Sequence, residues 1–253
     1  MDRMPGHWVL ARLGKRVLRP GGIKMTRQLL EALQAGPADD VVEFAPGLGA
    51  TARLTLKSQP ASYTAVERDE AAGRRVRRYL SGPNQDCIVG TAERTGLSDG
   101  CASVVYGEAM LTMQTKEHKR RIVAEAARLL RSGGRYGMHE ICLVPADISA
   151  EKVAAIAKDL AQAIQAGARP LRQPEWRELV EAHGMEVVRE QTRAFALLQP
   201  VRVVQDEGLL GALRFGLNML RDKPARQRAL AMRRAIARHA RHLMAYMLIA
   251  VKR

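Results

Sequence analysis

The sequence predicts an α/β fold: a parallel sheet with helices packed on both faces. Three observations carry that prediction. Short apolar runs alternate with helix-period segments through most of the 253 residues. The run Val41-Val42-Glu43-Phe44 passes into Ala45-Pro46-Gly47-Leu48-Gly49, which reads as a buried strand, a Gly-rich turn and the start of a helix. Ser62-Tyr63-Thr64-Ala65-Val66-Glu67 reads as a second strand that ends in an acid, 18 residues after Gly49.

The elements follow in order. Residues 4–22 read as a helix and then a loop: Trp8, Val9, Leu13 and Val17 recur at helical spacing, and Arg19-Pro20-Gly21-Gly22 stops them. Met25, Leu29, Leu30 and Leu33 mark an amphipathic helix over 23–35, ended by Gly36-Pro37. The first strand covers 40–45, a helix about 49–58, and the second strand 62–67. A basic helix runs from about 69 to 80, with a short third strand at 86–90 and a fourth from Ser103 to Tyr106. Lys116 to Leu130 is a helix, capped at Ser132-Gly133-Gly134. Arg135 to Leu143 is the fifth strand. Two helices, 149–167 and Gln173 to His183, lead to Gly184 as a C-cap and a long sixth strand from Glu186 to Leu198. Two more helices, 205–221 and 224–242, meet at Asp222-Lys223-Pro224, and Ala245 to Lys252 is the last strand. The interval between the last two strands is too long for a plain hairpin. It is well placed either to roof a pocket or to serve as a packing or dimerisation element.

The turn and the acid together point to a ligand. Gly47 and Gly49 let the backbone turn without a Cβ clash. The helix behind them aims its N-terminal amides at whatever lies over the turn. A carboxylate at the tip of the second strand accepts a hydrogen bond from each hydroxyl of a ribose.

Glu43-Phe44-Ala45-Pro46-Gly47-Leu48-Gly49 resembles the first motif, Glu/Asp-x-Gly-x-Gly-x-Gly, of the class I S-adenosylmethionine-dependent methyltransferases, with Ala45 in the first Gly place. Gly90-Thr91-Ala92-Glu93 stands where that family often has Gly-Asp-Ala, so Thr91 replaces an Asp that binds the adenine amino group. The resemblance covers roughly residues 36–143 and the final strand. It is similar to the small-molecule branch that includes the quinone C-methylases. It implies a doubly wound, seven-stranded Rossmann-like sheet of order 3-2-1-4-5-7-6, strand seven antiparallel, with a helical cap. It also implies S-adenosylmethionine as cofactor, over Glu43, Ala45, Pro46, Gly47 and Gly49. Glu67 is then expected on the ribose with Arg68 beside it, Thr91 and Ala92 at the adenine, and Gly107 and Glu108 at the methionine end. The expected segments are 1–35, a helical lid; 36–200, the cofactor domain; 201–244, the cap; and 245–253, the last strand.

Catalytic groups are harder to read, because methyl transfer asks mainly for alignment and exclusion of water. Glu108 serves either as a base toward the substrate or as a partner for the cofactor ammonium. His139 is a candidate general base, or else a core histidine. It and Glu140 must point to opposite faces of their strand. His7 and Trp8 read as a lid over the cofactor, or as an anchor of the first helix. Lys15-Arg16 and Arg19 either hold an anionic substrate or are solvated charges. No metal centre is expected: His239 and His242 are three apart without a Cys or acid to join them.

The net charge is +15, and Ala212 to Arg253 holds eleven Lys/Arg against one acid, Asp222. Anions are drawn there. Aromatics make up only 4%, too few for a base-stacking platform. The expected partner is therefore a small, partly apolar substrate, with weak non-specific nucleic-acid binding alongside. An RNA methyltransferase, or an inactive fold that binds through the basic C-terminal helix, is the alternative. There is no run of transmembrane length and no leader pattern at Met1-Asp2-Arg3. Cys87, Cys101 and Cys142 have no metal or redox spacing, which predicts a reducing, cytoplasmic setting.

Overall fold

The computed structural model describes residues 4–253. The tripeptide Met1-Asp2-Arg3, read above for a leader and included in the 1–35 segment, lies outside the described residues. Among the described residues eight strands form one mixed sheet: β1 (Asp40–Phe44), β2 (Ser62–Glu67), β3 (Gln85–Val89), β4 (Ala102–Glu108), β5 (Leu130–Leu143), β6 (Leu171–Arg172), β7 (Met185–Ala194) and β8 (Leu243–Lys252). Their order is β3-β2-β1-β4-β5-β8-β7, with the two-residue β6 paired to β5 off that path. β1 to β5 run parallel, and β8 is antiparallel to both β5 and β7. With β6 set aside, this is the 3-2-1-4-5-7-6 order expected from the resemblance.

Among the described residues nine α-helices accompany the strands: α1 (Gly6–Arg12), α2 (Gly22–Leu33), α3 (Ala52–Thr55), α4 (Glu70–Arg77), α5 (Lys116–Leu129), α6 (Ala150–Ile164), α7 (Gln173–Glu181), α8 (Pro200–Arg221) and α9 (Lys223–Arg238). Four begin on a side chain that caps an otherwise orphaned N–H: Asp69, Thr115, Ser149 and Asp222 accept from Ala72, His118, Lys152 and Ala225.

The sheet is covered on both faces. On one, Ile122, Val123, Trp176 and Val180 of α5 and α7 pack on Val42, Val105 and Met138. On the other, Met25, Leu29 and Leu33 of α2 pack on Val104, Tyr106, Met247 and Ile249. Gly137 permits that second contact, since a Cβ there would lie 2.9–3.1 Å from the Leu29 and Leu33 side chains. Every residue of β4 is buried, which makes it the central strand.

Several boundaries differ from expectation for physical reasons. α5 ends at Leu129 and β5 begins at once, so Gly133 (φ 72°) serves an irregular stretch of strand and is no helix cap. α7 ends at Glu181 with Ala182 as its C-cap, so Gly184 (φ 75°) lies beyond the cap. The helix expected over 49–58 divides into α3 and a 3-10 turn, Leu56–Ser58. The strand expected from Glu186 to Leu198 stops at Ala194, because Phe195, Leu197 and Leu198 turn inward to line a cavity. The 1–35 segment is not one lid. α1 packs against α6 and α9, whereas α2 is a layer of the sheet domain itself.

Candidate functional site

Between β1 and β4 the strand order reverses, which leaves a crevice beyond their carboxyl ends. A cavity of about 640 Å³ opens there. Its polar side is built from three strand ends: Ala45 to Leu48 after β1, Glu67 to Asp69 at β2, and Gly90 to Glu93 after β3. Its roof is apolar, with Leu160 and Ile164 of α6, Leu197, and Met232 and Ile236 of α9. α1 closes one flank with His7 and Trp8, whose rings lie 5.1 Å apart.

The Gly-rich turn is held by backbone geometry. Ala45 takes φ 51° and donates its N–H to Val66 O at 2.8 Å, which bends the chain off β1. Gly47 follows at φ 57° and Gly49 at φ 71°. A side chain at Gly49 would collide with Tyr79 at 2.8 Å, so glycine there is fixed by packing as well as by φ. Glu67 ties the turn to β2. Its Oε2 accepts from Gly47 N and its Oε1 from Asp69 N, both at 2.9 Å.

Of the residues the sequence puts forward, Ala45, Pro46, Gly47, Glu67, Arg68, Thr91, Ala92, Glu108, His7 and Trp8 all border the cavity. Glu43, Gly49, Gly107 and His139 do not. Glu43 lies beneath the turn, buried, and accepts from Tyr63 and Tyr106 hydroxyls at 2.5 and 2.7 Å. Burial pushes its carboxyl up to about 7 despite those bonds.

Glu108 is a buried hub. Its Oε1 accepts from Thr51 Oγ1 at 2.6 Å and lies 2.8 Å from Arg19 Nε; its Oε2 accepts from Thr26 Oγ1 at 2.6 Å and faces His139 Nδ1 at 2.8 Å. Burial alone would raise its carboxyl, but Arg19, His139 and Thr26 outweigh it and hold it down at about 2. His139 is fixed on both nitrogens, since Nε2 accepts from Gly21 N at 2.9 Å, which leaves the proton on Nδ1. The two residues expected as bases thus form one strut that joins β4, β5 and the loop before α2. Of the two readings given for each, this geometry fits the core histidine at His139, and its partners hold Glu108 in the charged form.

The sequence assigns Glu140 no role, and offers Arg19 only the choice between holding an anionic substrate and lying solvated. Glu140, opposite His139 on β5 as strand alternation requires, borders the cavity and accepts from Met110, Leu111 and Thr112 backbone N–H groups and the Thr112 hydroxyl. It shapes the turn after β4. Arg19 borders the cavity, nearly fully buried. Its Nε contact with Glu108 is short but badly angled for a hydrogen bond, and its Nη1 has no partner among the described residues. Lys15 departs from both readings of its charge. It is buried, 2.9 Å from Asp206 and 3.8 Å from Glu207.

Comparison with known proteins fits this geometry. Residues 41–134 match the family model of a methyltransferase domain. A Haemophilus influenzae protein without an assigned function is 30% identical over 226 residues, 88% of each chain. Among solved structures, a candidate sarcosine dimethylglycine methyltransferase from Galdieria sulphuraria superposes with a TM-score of 0.70 at 13% identity, covering 91% of this chain and 86% of that one. The geranyl diphosphate C-methyltransferase of Streptomyces coelicolor, solved with Mg2+, geranyl diphosphate and S-adenosylhomocysteine, gives 0.64 at 14%, over 91% and 77%. The 4+2 cyclase SpnF gives 0.67 at 17%, over 90% and 80%. At these identities the likeness is one of fold.

Proposed function

The chain belongs to the class I S-adenosylmethionine-dependent methyltransferases, and from that premise we propose that it transfers a methyl group from S-adenosylmethionine to a small, partly apolar molecule. One observation carries the reading: a single cavity with a polar end at the Gly-rich turn and an apolar end under α6 and α9. Its volume falls within the roughly 300–1,000 Å³ usual for small-molecule sites.

The residues present suit the cofactor. Each Glu67 oxygen accepts one backbone N–H and keeps a lone pair, which matches two neighbouring ribose hydroxyls. Buried Ala92 offers an apolar wall to an adenine, and exposed Thr91 a hydroxyl, with Arg68 at the rim. The unpartnered Nη1 of Arg19, next to Glu108, suits a carboxylate. When bound, S-adenosylmethionine supplies an electrophilic methyl on a sulfonium. The chain's own part is to align the acceptor and keep out water, through the apolar roof and Trp8. Glu108 and His139 act as the strut that ties β4 and β5 to the loop before α2, and Glu140 sets the turn after β4. His7 is the imidazole on the cavity wall; burial lowers its pKa, against Asp69 and with Arg68, so it is neutral at pH 7 and able to take a proton.

Calorimetry tests the first half. S-adenosylhomocysteine should bind in the micromolar range, about −8 kcal/mol; binding of NAD without it would sink the reading. The second half is tested with S-adenosylmethionine carrying a deuterated methyl, incubated with separated small-molecule and RNA fractions. Label should enter the small-molecule fraction. Label confined to RNA would promote the RNA-methyltransferase reading, and tight cofactor binding with no label anywhere would mark a fold put to another use.

A further inference from the structure

Exposed large apolar side chains are concentrated in one place. Of the ten among the described residues, seven lie on α8 and an eighth, Leu230, on α9. Gly208 breaks α8 at φ 74°, ψ 172°, a conformation open essentially to glycine alone. The two halves differ in what they touch. The first is bound to the loop before α2 and to the start of that helix: Asp206 accepts from Ile23 N, Glu207 from Arg16 N and Val17 N, and Arg202 donates to Gly21 O.

The second half, from Leu209 to Arg221, contains no acid, and its polar side chains are Arg214, Asn218 and Arg221. Its inner side places Phe215 and Met219 against the cluster formed by α1 and α9. Its outer side carries Leu209, Leu210, Leu213, Leu217 and Leu220, which are 73, 84, 64, 51 and 70% exposed. At 100° per residue the last four fall within an arc of about 80°. A helix that is apolar on both sides needs cover on both.

Charge decides what covers it. By the same spacing Arg214 and Arg221 border the leucine arc on its Leu210 edge, and Arg233, Arg234 and Arg238 are exposed on α9, which packs against α8. From Gly208 to Arg241 there are nine Lys/Arg and one acid. A second copy of the chain would set these like charges against one another. An anionic bilayer would meet them with opposite charge and take the leucines into its headgroup boundary, while the arginines reach lipid phosphates from stems laid along the apolar surface. We propose that the outer face of α8 after Gly208 docks on an anionic lipid surface. It lies on that surface and does not cross it, because no helix among the described residues is long and apolar enough to span a membrane. The inference stands apart from the reaction in the cavity.

The test is flotation with extruded vesicles at about 150 mM salt, near physiological ionic strength. The vesicles are equimolar phosphatidylglycerol and phosphatidylcholine, or phosphatidylcholine alone. The wild-type chain should float with the anionic vesicles at least tenfold better than with the neutral ones. Leu210→Gln/Leu213→Gln/Leu217→Gln should lose at least tenfold in that partition, with an unchanged melting temperature and unchanged S-adenosylhomocysteine binding. Leu210→Gln alone, at the most exposed position, should show a smaller loss in the same direction and serves if the triple variant melts lower. The proposal is overturned if the wild type stays at the bottom of the gradient. It is equally overturned if the triple variant floats as well as the wild type, or if random-sequence RNA strips the wild type from the vesicles. A wild-type dimer that the triple variant turns into a monomer, without vesicle binding, would assign the face to a second copy instead.

Discussion

Glu43 and Glu67 sit on adjacent strands, β1 and β2, yet their surroundings ask different things of them. Glu43 is sealed inside the sheet. Its carboxyl is pushed up to about 7 from an ordinary 4.5, so the folded chain holds a proton that the unfolded chain releases. Stability should therefore fall as pH rises from about 4.5 to about 7 and change no further, by roughly 3 kcal/mol. In urea titrations, wild type should lose about that much more than Glu43→Gln between pH 4.5 and pH 7.5. Parallel profiles would show that Glu43 ionises in the fold as it does in water. Glu67 is at the cavity, and Glu67→Ala should cost about 1–3 kcal/mol of S-adenosylhomocysteine binding, because Gly47 N and Asp69 N lose their acceptor along with the ribose. Glu67→Gln should cost nearly as much, since its amide sets a donor against one of those N–H groups. Unchanged calorimetric affinity in both would remove Glu67 from the cofactor. The turn and Glu67 were legible because a strand-terminal acid after a Gly-rich turn is a local pattern. The Glu108–His139 strut was not, because it joins Arg19, Thr26, Thr51, Glu108 and His139 from five separate segments.

Element starts were the more legible ends, because Asp69, Thr115, Ser149 and Asp222 announce them chemically. Element stops were less so. α5 yields directly to β5, and β6, two residues long, has no periodicity to read. α8 shows why an insertion resists prediction: its first half is anchored by Lys15, Asp206 and Glu207, whose charge alone would leave them in water. All three side chains are fully buried. Lys15→Met would leave the buried Asp206 without its cation, while Glu207 keeps Arg16 at 3.0 Å, and should destabilise the fold by about 3–5 kcal/mol in chemical denaturation. A cost under 1 kcal/mol would show that water reaches the pair. The same anchoring bears on removal of residues 203–240. That deletion takes Ala225, Ala229 and Met232 from the cluster that buries Val9, Leu10 and Leu13, so it should compromise folding as well as the roof.

At the scale of the whole molecule, strand order was legible only through the family resemblance, since alternation predicts a parallel sheet but cannot order it. Net charge was legible directly, but its consequence is limited. Arg233, Arg234 and Arg241 are exposed and Arg238 pairs with Asp159, with no aromatic platform beside them. Binding to RNA should be weak and fade as salt passes about 150 mM. Tight, sequence-selective retention in filter binding at that salt would contradict this. The order of synthesis is set against the order of the sheet. β8 lies between β5 and β7, yet it is made after both. At roughly 5–20 residues per second, a nascent chain would carry β5 with an open edge for on the order of 5–20 s while the intervening hundred or so residues emerge. Newborn molecules would then be sticky in a way the finished one is not. Translation slowed after β5 should lengthen that interval and lower the soluble fraction, whereas a yield indifferent to codon speed there would show the edge is shielded by other means.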